Sequence, residues 1–178
     1  GIVHRPNCKD WNLYKSVNTE MPISIATKAK SQGVKQYIFI STMGVYAACK
    51  RLNGFIIDKE TPLSTDDSYY YSRSKILAEK GLNEIQENTF NVAIVRPPSV
   101  YGKGCKGGYI TGFKSIASKL PIIPKAYEKG IQSFIYIDNL CECIRLIIEK
   151  RMSGIFCPQD DEIPNANRLL EVICNGIG

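Results

Sequence analysis

One histidine in 178 residues, His4, leaves little for zinc chemistry, and the cysteines do not make up for it. Cys141 and Cys143 stand two apart on an expected helix and so point to different faces, which excludes a shared metal ligand pair. The seven cysteines are odd in number and dispersed, unlike the framework of a small disulfide scaffold, and read as reduced thiols of a cytoplasmic protein. No apolar run approaches the roughly 18 residues that a membrane span requires, and no secretory leader opens the sequence, so no membrane partner is expected. Lys and Arg form no long run, and the basic-aromatic motif of an RNA-binding sheet is absent; no nucleic acid is expected. Internal repeats and low-complexity tracts are also missing.

What remains is an ordinary globular composition, 44% hydrophobic and 22% charged, long enough for about one domain with a real core. The net charge of +6 fits an anionic small ligand. Residues 1–3 look like the tail of a strand, and residues 7–10 like a polar loop. From Asn18, Ile23, Ile25, Ala26 and Ala29 repeat at helical spacing, with Pro22 in the first turn and Gly33 as the stop. Residues 34–41 then form an apolar run of strand length, and a second such run covers 91–95. Apolar strands alternating with helices, without hairpin signals, predict a buried parallel sheet. Between them lie an irregular stretch at 47–68 and a helix over about 71–88, striped by Ile76, Leu77, Leu82 and Ile85. Further on, the expectations are a loop at 99–112, a helix at 113–119, a strand at 132–137, a helix capped by Asp138 or Asn139, a strand at 154–157 and a helix at 166–174.

Chemistry concentrates at Tyr71 and Lys75. Four residues apart on a helix, they share one face, so an ammonium stands beside a phenol. A free tyrosine titrates near 10, and a neighbouring positive charge favours the phenolate and brings it toward the range where proton transfer is efficient. The plain alternative is that tyrosines at a helix start are packing residues. Thr42 ends the first long strand, at the edge where open α/β sheets bind ligands.

Ser41-Thr42, Tyr71-x-x-x-Lys75, Arg96-Pro97-Pro98-Ser99-Val100-Tyr101-Gly102, Gly33-Val34-Lys35 and Phe134-Ile135-Tyr136-Ile137-Asp138, in that setting, resemble the extended short-chain dehydrogenase/reductase superfamily. The likeness is to its NAD-dependent nucleotide-sugar epimerases and dehydratases. It implies an α/β fold: part of a Rossmann-like doubly wound parallel sheet lacking its first strands, followed by a small substrate-binding α/β region. The expected division is 1–98 for the cofactor and catalytic part and 99–178 for the substrate part.

The resemblance assigns Thr42 as the hydroxyl that hydrogen-bonds the sugar oxygen, Tyr71 as the base, and Lys75 as the residue that binds the nicotinamide ribose and lowers the tyrosine pKa. Asn18, Ser41, Pro97 and Pro98 fall where the family lines NAD. Ser99 falls where it contacts the sugar nucleotide, Lys103 could meet a diphosphate, and Gln132 stands where epimerases often carry an arginine. The family's Gly-x-x-Gly-x-x-Gly turn is absent, so the chain reads as a fragment. Met43-Gly44 after Thr42, where dehydratases commonly carry Asp-Glu, favours a UDP-hexose 4-epimerase over a dehydratase. A UDP-sugar substrate and a homodimer complete what the likeness implies. The rival readings are a reductase of an apolar carbonyl compound and a non-catalytic NAD-sensing protein.

Overall fold

A computed structural model describes residues 1–3, 10–46, 57, 60–64, 66–103 and 133–161. Its elements fall into two compact units, Gly1–Arg96 with Ile144–Cys157 and Pro97–Cys143 with Pro158–Gly178.

The first unit is an α/β layer. β1 (Gln36–Ile40), β2 (Asn91–Val95) and β5 (Gly154–Phe156) form a parallel sheet in the order β1-β2-β5. The register runs from Gln36 opposite Asn91 to Ile40 opposite Val95. The ladder continues past the strand ends, because Ser41 N donates to Val95 O at 2.7 Å and Arg96 N to Phe156 O at 2.7 Å. Val92, Ala93, Ile94 and Val95 are all buried, as a strand covered on both faces requires.

On one face pack α2 (Met21–Ser31) and α3 (Tyr70–Ile85), whose Ala26, Ala78 and Leu82 meet Phe39, Phe90, Val92 and Ile94 in the main core. Gly81 makes the close approach possible: a Cβ there would lie 2.4 Å from Ile23 Cδ1. At the far ends, Lys30 Nζ ties the two helices by donating to Ile85 O at 2.9 Å and pairing with Glu87 at 2.8 Å.

The first helical stretch begins earlier than its hydrophobic spacing predicts. α1 (Trp11–Lys15) is capped by Asp10, whose Oδ1 accepts from Leu13 N at 3.0 Å, and runs through a π-turn at Ser16–Glu20 directly into α2. Pro22 therefore lies inside a long helical run. Its missing N–H would break a regular α-helical ladder there, and the wider turn just before it accommodates the loss. Ile25, expected in the apolar stripe, is 53% exposed, because Ala26 and Ile23 carry the contact.

The second unit contains β3 (Ser99–Tyr101) and β4 (Phe134–Tyr136), a parallel pair with Ser99 opposite Phe134. The expected loop at 99–112 is corrected here: its first residues are a strand. The partner strand lies more than thirty residues away in sequence, so no local pattern marks the pairing. Asp160 fastens the pair. Its Oδ2 accepts from Tyr101 Oη at 2.8 Å and from Tyr136 N at 3.0 Å, while Oδ1 accepts from Asn139 Nδ2 at 2.8 Å. Gly102, at φ +139°, closes β3 where a Cβ would stand 2.6 Å from Ile137 Cγ2. α4 (Ile137–Glu149) begins one residue before the expected cap, and the division between the units falls within it. The expected helices at 113–119 and 166–174, together with His4 and most of 47–59, lie outside the described residues.

Candidate active site

Three successive rungs of α3 dock on three successive residues at the end of β1. Tyr71, Lys75 and Glu79 stand at intervals of four, so they share one face. Tyr71 hydrogen-bonds the Thr42 side chain, Lys75 Nζ donates to Ile40 O at 2.8 Å, and Glu79 Oε1 accepts from Ser41 Oγ. Thr42 and Tyr71 are half-buried, whereas Lys75 is only 8% exposed. A 3₁₀ turn at Met43–Tyr46 follows Thr42, and Gly44 N donates to Thr42 Oγ1 at 3.0 Å. That contact occupies an acceptor position on Oγ1 and leaves the Thr42 proton to donate toward the Tyr71 oxygen.

The electrostatics depart from the sequence expectation in one respect. Burial pushes the Tyr71 phenol above its ordinary value; the Thr42 hydrogen bond pulls it back, and the neighbouring Tyr14 phenol adds to the rise. Lys75 supplies none of the expected lowering. Its ammonium points at Ile40 O and lies 4.4 Å from the centroid of the Phe39 ring. Desolvation lowers Lys75 to about 8, against the opposing charge of Glu79. The spacing put the two side chains on one face, but the direction of a long flexible stem is set by its tertiary partners.

Asn18 and Ser41 belong to the same neighbourhood with their polar groups already engaged. Asn18 is fully buried in the π-turn; its Oδ1 accepts from Ile2 N at 2.7 Å and its Nδ2 donates to Ile2 O at 2.9 Å and to Ser74 Oγ at 3.2 Å. Thr19 Oγ1 donates to Ser74 O at 2.7 Å, and Ser74 Oγ donates to Tyr71 O at 2.7 Å. The π-turn thus fixes both the amino-terminal segment and the first turn of α3. Pro97, Pro98, Ser99 and Lys103 belong to the second unit: Pro97 is buried, Pro98 and Ser99 are half-buried, and Lys103 is exposed. Gln132 lies outside the described residues.

Four participants were given no role by sequence reasoning. Tyr14 is buried with its hydroxyl donating to Val3 O at 3.2 Å, and it faces Tyr71. Glu79 and Arg96 form a buried pair, Nη2 to Oε2 at 2.5 Å and Nε to Oε1 at 3.1 Å. Tyr46 accepts from Arg96 Nη1, and burial pushes its phenol up to about 12. The available signal for Glu79 was its place four residues after Lys75; Tyr14 and Tyr46 carried none beyond being aromatic.

A nicotinamide cofactor fits this neighbourhood at one end. Tyr71, Thr42 and Lys75 supply hydroxyls and a cation at the carboxyl edge of a parallel sheet, the right donors for a ribose and a reacting hydroxyl. The described residues of this unit contain no glycine-rich turn for a pyrophosphate.

The model of the NAD dependent epimerase/dehydratase family matches residues 4–156. Among curated relatives, the UDP-glucose 4-epimerase of Vibrio cholerae is 29% identical over 155 residues, covering 83% of this chain and 45% of the relative. Among solved structures, the Bordetella bronchiseptica enzyme WbmG in complex with NAD and UDP gives a TM-score of 0.80 at 19% identity, covering 100% of this chain and 55% of that one. The UDP-N-acetylglucosamine 4-epimerase of Methanobrevibacter ruminantium M1 gives 0.76 at 18% identity, covering 93% and 54%. At these identities the structural likeness shows the fold, a Rossmann-type α/β arrangement. The chain spans about half the length of the proteins it matches.

Proposed function

The chain belongs to the NAD-dependent epimerase/dehydratase family, and from that premise we propose that it carries the catalytic half of a nucleotide-sugar epimerase, of the UDP-hexose 4-epimerase type. The observation that carries this reading is the Tyr71–Thr42 hydrogen bond at the edge of the parallel sheet, with Lys75 one helical turn away. In the proposed reaction Thr42 donates to the sugar oxygen and Tyr71 accepts the proton from that hydroxyl. NAD, when bound, supplies the acceptor for the hydride that leaves the same carbon. Return of that hydride to the opposite face of the carbon, with the proton given back by Tyr71, would restore the alcohol with inverted configuration.

As described, the phenol is raised by burial and the Lys75 ammonium is turned to Ile40 O. The reading therefore requires Lys75 to swing from that carbonyl toward Tyr71 and the ribose. Met43 and Gly44 after Thr42 offer no carboxylate to eliminate water, which supports epimerisation over dehydration. In this proposal the first unit serves cofactor and chemistry, Ser99 and Lys103 serve the sugar nucleotide, and the working form is a cytoplasmic homodimer.

The test is UDP-glucose/UDP-galactose interconversion by the chain with a cofactor-binding strand-turn-helix segment fused ahead of Gly1. Interconversion that disappears in Tyr71→Phe supports the reading. An equally active Tyr71→Phe protein sinks it.

A further inference from the structure

We propose that the buried Arg96–Glu79 pair positions the Thr42 hydroxyl, acting through Ser41 and Tyr46 on either side of it. This rests on the reading of Thr42 as part of the active site. Thr42 stands in the short bridge that leaves β1 and enters the 3₁₀ turn Met43–Tyr46, and both ends of that bridge are tied to the same ion pair. At the near end Ser41 Oγ donates to Glu79 Oε1, and Ser41 N extends the ladder to Val95 O at 2.7 Å. At the far end Tyr46 Oη accepts from Arg96 Nη1. The guanidinium joins the two anchors, with Nε donating to Glu79 Oε1 at 3.1 Å and Nη2 to Oε2 at 2.5 Å. Ser41, Tyr46, Glu79 and Arg96 are each 4% exposed or less, so bulk water does not compete for these bonds.

An arginine fork presents its donors in one rigid plane, so the groups it grips keep a set distance and angle between them. The clamp therefore fixes the span from Ser41 to Tyr46. Inside that span the chain is tightly bonded: Val45 N donates to Thr42 O at 3.3 Å, Gly44 N donates to Thr42 Oγ1 at 3.0 Å, and Ser64 N donates to Val45 O at 2.8 Å. There is little slack at Gly44, where a Cβ would stand 3.3 Å from Thr42 Oγ1 and 3.4 Å from Ser72 Oγ on α3. The direction of the Thr42 hydroxyl is thus set by backbone whose two ends are held. A well-packed apolar pair in place of Glu79 and Arg96 could supply comparable stability. It could not hold Ser41 and Tyr46 by directed bonds. A reacting group displaced by about 1 Å costs about 10²-fold in rate, which is the scale on which such a hold matters.

The rotamer of Thr42 reads this directly and needs neither cofactor nor turnover. In the complete 178-residue chain, three-bond NMR couplings from the backbone N and C′ to Thr42 Cγ2 report its χ1 populations. The expected wild-type result is a single staggered rotamer. Glu79→Gln/Arg96→Met removes both charges while keeping volume, and Arg96→Lys keeps the charge but loses the fork; both are expected to average the couplings over rotamers. Tyr46→Phe cuts only the far arm, keeps the ring in its cluster with Val45 and Ile76, and is expected to average them as well. It carries the test alone where the other variants do not fold. Ile94→Val, in the main core, controls for lost stability and should leave the couplings at their wild-type values. Wild-type couplings in folded Tyr46→Phe overturn the proposal, as do couplings already averaged in the wild type or averaged equally in Ile94→Val. Activity in Tyr71→Phe, which sinks the epimerase reading, is a separate result.

Discussion

The polar face of α3 and the cluster around Asp160 are both networks of side-chain hydrogen bonds, yet they leave their ionisable groups in opposite conditions. On α3, burial dominates: Lys75 is driven down to about 8 and Tyr71 is driven up, so both are held where ionisation is unfavourable. At Asp160, burial also pushes upward, but hydrogen bonds from Asn139, Tyr101 and Tyr136 N outweigh it and hold the carboxyl below its ordinary value. One network bears a strain in its protonation states, as a proton-transfer site does. The other is satisfied, and fastens β3, β4 and α4 together.

Substitutions that exchange these conditions sharpen the contrast. The largest stability effect is expected at the junction beneath Lys75. Glu79→Ala leaves the Arg96 charge buried without its carboxylate and should cost about 3–5 kcal/mol, measured by urea unfolding. Asp160→Ala removes the acceptor of three hydrogen bonds and should cost about 1–3 kcal/mol. Because the folded carboxyl is depressed, the stability it adds is present above the unfolded value of about 3.9 and is lost as pH falls through the folded pKa. The wild-type and Asp160→Ala unfolding curves should therefore converge in acid.

Lys75→Met should act in the other direction. It removes a buried ammonium at the loss of one hydrogen bond to Ile40 O, and is expected to stabilise by about 1 kcal/mol at pH 7 while abolishing turnover. The folded lysine titrates at about 8, below its unfolded value of about 10.4. The burial penalty is complete below the folded value and fades as pH climbs between the two, so the advantage of Lys75→Met should shrink across that window. An advantage that grows with pH would contradict the assignment of Lys75 as the strained group.

Local order was readable where chemistry and spacing coincide. Asn91–Val95 is a strand to the residue, because Val92, Ala93, Ile94 and Val95, buried on both faces, leave an unmistakable apolar run. Tyr71 and Lys75 were readable because a helix repeats every 3.6 residues or so. The direction of Lys75 was not, since it depends on a carbonyl thirty-five residues away. Asn18 and Ser41 stand beside the polar face of α3, but their partners Ile2, Ser74 and Glu79 are set by packing. β3 was missed for the same reason: Ser-Val-Tyr is a strand because Phe134–Tyr136 lies beside it. The π-turn at Ser16–Glu20 left no signature beyond Pro22, which read more simply as a helix start.

The central claim is that Tyr71, hydrogen-bonded by Thr42, is the base of a sugar-oxidising site. It is tested most directly by the turnover number of Tyr71→Phe in the chain fused to a cofactor-binding segment, with UDP-glucose as substrate and the folded state verified by thermal unfolding. The account predicts a loss of about 10²- to 10⁴-fold in an otherwise intact fold. Turnover within a few-fold of the wild type would contradict it.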